Sequence, residues 1–139
     1  MKDSIYHNHL TVKTEDDVIM AMECTSRLAK SLGFLPNDQI LLRLAVEEAI
    51  VNALEYGDDD TIDIMWKSHD ENLIISVKQD GIPFIINREE TINYNSRGRG
   101  LQLIVNIMDE VKVVQDGKKV ILQMKKRFGS EAIKACYQM

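Results

Sequence analysis

Leu44-Ala45-Val46-Glu47-Glu48-Ala49-Ile50-Val51-Asn52-Ala53 reads as a helix that is apolar on nearly every side, yet it carries a carboxylate and an amide one turn apart. Residues four apart project from one face of a helix, so Glu48 and Asn52 point the same way. Polar groups set among buried side chains are costly unless they find partners. A carboxylate can take a proton from a nucleophile, and an amide oxygen can ligate a hard cation such as Mg²⁺. The pair therefore reads as half of a phosphoryl-transfer site. The plain alternatives are an ion pair of Glu48 with a lysine or arginine, and a packing role for the Asn52 amide. Glu47 points away from Glu48 and is read as solvated.

Outward from this helix, strand and helix periods alternate. Residues 5–13 read as a first strand, and Thr14 as the N-cap of a helix whose start is marked by Glu15-Asp16-Asp17. Val18, Met22, Thr25, Leu28, Ala29 and Leu32 mark one face of that helix, and Gly33 ends it. Asn37 is the expected cap of the second helix, which runs to about Tyr56 with Gly57 as its stop signal. Residues 61–67 place Ile62, Ile64 and Trp66 on one side of a strand, and residues 73–79 place Leu73, Ile75, Val77 and Gln79 on one side of the next. Residues 87–99 are polar and without period, a loop length that in a compact domain is often functional. Gly100 is the expected start of a third helix, with Leu101, Ile104, Val105 and Met108 on its buried face. A hairpin around Asp116-Gly117 follows, and residues 130–139 read as a weak amphipathic helix. The order β-α-α-β-β-loop-α-β-β implies an α+β fold: a two-layer sandwich whose mixed, mostly antiparallel sheet is covered on one face by helices.

The 139 residues suit a single domain spanning 1–139. A net charge of −5 argues against direct nucleic-acid binding, which calls for a basic patch. No apolar run is long enough to span a membrane, and the first residues lack the apolar core of a signal peptide. Cys24 and Cys136 lie far apart in sequence, so the expectation is a reduced, cytoplasmic protein. His7 and His9 form at most a weak metal pair, because no third ligand is evident nearby.

Three segments then carry chemistry in order: Glu48 with Asn52, then Gln79-Asp80-Gly81-Ile82-Pro83-Phe84 at a strand end, then Arg97-Gly98-Arg99-Gly100-Leu101 before a helix. Glycines at a helix N-terminus let backbone N–H groups reach a phosphate, which the helix dipole also favours. A lone Gly-x-Gly is a weak signal; the three segments together are stronger. In these segments, and in Gly98 to Val111 as a whole, the chain resembles the GHKL superfamily of ATP-binding domains, the Bergerat fold shared by gyrase and histidine kinases. It most resembles the small bacterial anti-sigma factors that act as serine-protein kinases. The resemblance implies that Glu48 is the general base and that Asn52 binds Mg²⁺. It implies that Gly81 lets the chain pass close to adenine, and that Gly98 and Gly100 bind phosphate at the end of an ATP lid of about residues 87–99. Arg97 and Arg99 are either triphosphate contacts or solvated lid residues.

The family's kinases transfer the ATP γ-phosphate to a serine of an antagonist protein and hold a sigma factor inactive, usually as homodimers. The resemblance thus implies ATP and Mg²⁺ as cofactors, and an antagonist substrate and a sigma factor as partners. One position departs from the pattern. The family usually has Asp where Gln79 stands, and its carboxylate accepts from the adenine amine. Asp80 is adjacent but alternation puts it on the opposite face, unless a bulge near Gly81 turns it inward. Gln79 otherwise takes the position without charge, weakening binding by about 1–2 kcal/mol. The competing expectation is therefore a regulatory protein-binding module on the same fold, with weak nucleotide binding or none.

Overall fold

A computed structural model of the chain describes residues 6–56, 61–81 and 96–128. The elements run β1 (Tyr6–Val12), α1 (Glu15–Leu32), α2 (Pro36–Tyr56), β2 (Ile62–His69), β3 (Asn72–Asp80), α3 (Ser96–Ile107), β4 (Glu110–Asp116) and β5 (Lys119–Arg127). The expected lid residues 87–95, the charged run 58–60 and the tail helix 130–139 lie outside the described residues.

Local chemistry explains the element ends. Thr14 caps α1 through a reciprocal pair: its hydroxyl accepts from the Asp17 N–H at 3.2 Å, and the Asp17 carboxylate accepts from the Thr14 N–H at 3.1 Å. Gly33 closes α1 at φ 99°, a left-handed conformation in which the Phe34 N–H returns to the Ala29 carbonyl at 3.0 Å. The second helix starts at Pro36, one residue before the expected cap Asn37. Proline suits a first helical position because it has no N–H to leave unpaired and its φ is already helical.

The strands form one sheet in the order β1-β2-β3-β5-β4. Every pairing in it is antiparallel, so the expected mixed sheet is wholly antiparallel among the described residues. The register runs two residues further than the strand pattern suggested. The β2–β3 ladder closes on His69 opposite Asn72, across a two-residue turn in which Asp70 and Glu71 both have positive φ. That geometry matches the twist of a two-residue hairpin. In the last hairpin the turn residues are Gly117 and Lys118, not Asp116 and Gly117, because Asp116 pairs with Lys119. Gly117 at φ 65° supplies the left-handed step at the turn's first position.

The three helices among the described residues lie on one face of the sheet. Alternation delivers Ile62, Ile64 and Trp66 from β2, Leu73, Ile75 and Val77 from β3, and Val120, Leu122 and Met124 from β5 to that face, all buried. Helix α2 packs between α1 and α3 and over β2 and β3. Its alanines Ala45, Ala49 and Ala53 and its Leu42, Val46 and Ile50 are buried there. The indole of Trp66, wholly buried, donates to the Thr25 hydroxyl at 2.9 Å, and that hydroxyl donates to the Ala21 carbonyl at 2.8 Å. No helix among the described residues is long and apolar enough to cross a membrane.

Candidate functional site

Helix α2 buries one side against the sheet and its neighbouring helices and leaves Ile40, Leu41, Val51 and Leu54 exposed on the other; of the first two site residues it carries, Glu48 is half-buried and Asn52 only 2% exposed. The Asn52 Nδ2 donates to the Glu48 main-chain carbonyl at 3.0 Å. This bond decides which way round the amide sits, because a carbonyl can accept only from the NH₂ end. The Oδ1 is thereby turned from that carbonyl, and it has no hydrogen-bond partner among the described residues. A buried acceptor left in that state costs about 1–3 kcal/mol, so a group that supplies a donor or a cation there recovers energy. The carboxyl of Glu48 titrates above the ordinary glutamate range, chiefly because burial disfavours its charge, with repulsion from Glu47 and Glu55 adding to it. A raised pKa brings a carboxylate closer to the working range of a general base.

Gln79 arrives from the sheet. It sits on the inner face at the end of β3, opposite Val120, and is 3% exposed. Its Oε1 is the second buried acceptor without a partner among the described residues. Asp80 stays on the outer face, where its carboxylate meets the Lys119 ammonium at 3.0 Å. The ladder is unbroken from Asn72 opposite Arg127 to Asp80 opposite Lys119, so no bulge turns Asp80 inward. The Gly81 N–H continues toward the Lys118 carbonyl at 3.4 Å. Lys119 is the residue that sequence reasoning missed here. Its signal is purely cross-strand, and it becomes visible only once the register is known.

The glycine segment lies at the start of α3, which begins at Ser96 rather than at the expected Gly100. The first turn, whose N–H groups lack intrahelical acceptors, therefore contains Arg97 and Gly98. Arg99 and Gly100 follow, and the N–H of Gly100 is directed along the helix toward Ser96. The anion-attracting end of the helix is kept, moved toward the loop by about one turn. The other end of α3 is anchored by Lys126, whose Nζ donates to the Ile107 carbonyl at 2.9 Å.

These residues fit a Mg²⁺-nucleotide. Asn52 offers an oriented oxygen for a hard cation, Gln79 offers an unpaired acceptor for a base, and the α3 N-terminus suits phosphate. Among the described residues no three His, Cys, Asp or Glu side chains form a cation cluster. A cation held here would thus rest on Asn52 and on oxygens of its ligand. His9 of β1 lies on the outer sheet face, 3.6 Å from the Asp63 carboxylate, and the side chain of His7 lies outside the described residues.

The family model described as "Histidine kinase-like ATPase domain" matches residues 12–126. No curated protein sequence matches the chain. Among solved structures, the fold is similar to the catalytic domain of histidine kinase ThkA in a nucleotide-free form, at TM-score 0.60 and 11% identity over 95% of this chain and 99% of that one. It is also similar to a chain of the SiaB–SiaC complex from Pseudomonas aeruginosa, at TM-score 0.58 and 8% identity over 87% and 88% of the two chains. The histidine kinase AdeS of Acinetobacter baumannii gives TM-score 0.53 at 14% identity, over 88% of this chain and 68% of that one. At these identities the likeness is one of fold.

Proposed function

The chain belongs to the histidine kinase-like ATPase domain family, and from that premise we propose that it is an ATP-binding, anti-sigma-factor-like regulator. In this reading it phosphorylates a serine on an antagonist protein and sequesters a sigma factor. The observation that carries it is the pairing on α2 of an oriented, unpartnered Asn52 Oδ1 with a carboxylate, Glu48, whose pKa is raised. Glu48 accepts the proton of the attacking serine hydroxyl. The Asn52 oxygen holds Mg²⁺, Gln79 and Gly81 meet the base, and the first turn of α3, with Arg97, Gly98, Arg99 and Gly100 close by, receives the phosphates. Bound Mg²⁺-ATP supplies the phosphoryl group to be transferred. A protein partner is supported by the occurrence of this fold in a two-protein complex, SiaB–SiaC.

The test combines purified protein, Mg²⁺-ATP and antagonist candidates from its genomic neighbourhood. Phosphoserine is expected on one of them, and Glu48→Gln should slow its formation by about 10²–10⁴-fold while leaving nucleotide binding in place. Formation of phosphoserine at an unchanged rate in Glu48→Gln would remove Glu48 from the role of base.

One observation favours a second reading. The inner face carries the amide of Gln79 where a carboxylate would bind the adenine amine more strongly. A module that binds partners with little or no nucleotide would show no rise in thermal midpoint at millimolar Mg²⁺-ATP, since a ligand of the native state must stabilise it.

A further inference from the structure

The inner-face end of β3 carries an amide, Gln79, which the nucleotide reading above sets against the base, where a carboxylate would act by accepting alone. Gln79 is almost wholly buried, its Oε1 has no partner among the described residues, and the neighbouring Asp80 is held on the outer face by Lys119. The unbroken pairing of Gln79 with Val120 and Asp80 with Lys119 leaves no register in which the carboxylate replaces the amide. The base-reading group is therefore neutral, and it is both donor and acceptor.

That difference decides which bases the position tolerates. An ionised carboxylate accepts hydrogen bonds and cannot donate. It matches the exocyclic amine of adenine and meets the carbonyl oxygen of guanine with charge and lone pairs opposed. Such a mismatch is the repulsive element from which selectivity is usually made. An amide has no such bias. With Oε1 toward the base it accepts from the adenine N6 amine, and with Nε2 toward the base it donates to guanine O6. The Oε1 has no hydrogen-bond partner among the described residues, so accepting from a base displaces no bond that this oxygen already makes.

We propose that Gln79 makes this site tolerant of both purines, so that its ligand class is purine nucleoside triphosphates, GTP alongside ATP. The inference rests on the nucleotide reading of the preceding subsection and adds to it the identity of the base.

Affinities for Mg²⁺-ATP and Mg²⁺-GTP, measured by calorimetry and thermal shift on wild type, Gln79→Asp and Gln79→Leu, test it. Wild type should bind the two nucleotides within about tenfold of each other. Gln79→Asp should tighten ATP by about tenfold and weaken GTP by at least about tenfold, opening the ratio to about 100-fold. Gln79→Leu keeps the side chain's size, removes the buried acceptor and so should fold. It should weaken both nucleotides by similar factors. Wild-type preference for ATP of about 100-fold or more overturns the inference while leaving the nucleotide reading intact, as does a Gln79→Leu variant that loses ATP alone. Absence of binding by either nucleotide to wild type and to Gln79→Asp overturns the nucleotide reading, and the inference falls with it.

Discussion

Glu48 is held against its own electrostatic preference. Partial burial and the charges of Glu47 and Glu55 raise its folded-state pKa, so its ionised form is disfavoured in the folded chain at neutral pH. For an acid with a raised folded pKa the penalty is present above that pKa and vanishes as pH falls below the ordinary glutamate value. Glu48→Gln should therefore raise the thermal midpoint of the ligand-free protein at neutral pH and leave it unchanged in acid. An equal rise at both pH values would assign the effect to packing rather than charge. A gain in stability from removing a site residue is the mark of a group kept for chemistry. The i, i+4 spacing made the Glu48–Asn52 pair legible in the sequence. The unpartnered state of Asn52 Oδ1 was not, because it depends on the bond from Nδ2 to the Glu48 carbonyl and on what else reaches the site. The same holds for Asp80, whose outward position follows from alternation but whose capture depends on Lys119, distant in sequence.

At the scale of elements, strand alternation and helix caps were readable because each is a property of neighbours in the chain. Thr14 and Gly33 bound α1 as their chemistry requires. The start of α2, the start of α3 and the hairpin turns were less readable, since pairing and packing extend an element past its local signal. In the β2–β3 hairpin, Glu71 accepts positive φ without glycine because the ladder closes on His69 and Asn72. The link between α1 and β2 is also invisible to periodicity. Thr25 falls on the apolar face of α1, yet its hydroxyl is the acceptor for the buried Trp66 indole. Thr25→Val keeps the shape and orphans that N–H, so it should lower unfolding free energy by about 1–3 kcal/mol in a denaturant titration. Thr25→Ser should restore most of the loss. A Thr25→Val protein as stable as wild type would show that the indole bond adds nothing net.

Across the whole molecule, the end of β5 ties distant parts together. The Phe128 N–H donates to the Glu71 carbonyl at 2.8 Å, and its ring tilts against Phe34 with centroids 5.6 Å apart. Phe34 stands at the turn between α1 and α2, so this contact joins the last strand to the first helical pair and to the β2–β3 turn. Phe128→Ala should cost about 1–3 kcal/mol of global stability, read as a lower denaturant midpoint. A loss confined to local hydrogen exchange near residues 69–72, with the midpoint unchanged, would reduce the contact to a surface feature. The sequence by itself determined the element order, the inner and outer faces of the strands and the pairing of Glu48 with Asn52. Each of these is a period or spacing along the chain, and burial enforces it locally. Only the tertiary structure decided that β5 lies between β3 and β4, that the sheet is antiparallel throughout and that Asp80 is spent on Lys119. It alone left the Asn52 and Gln79 oxygens without partners among the described residues. These depend on what stands across from a residue in space, and spacing along one chain does not encode that.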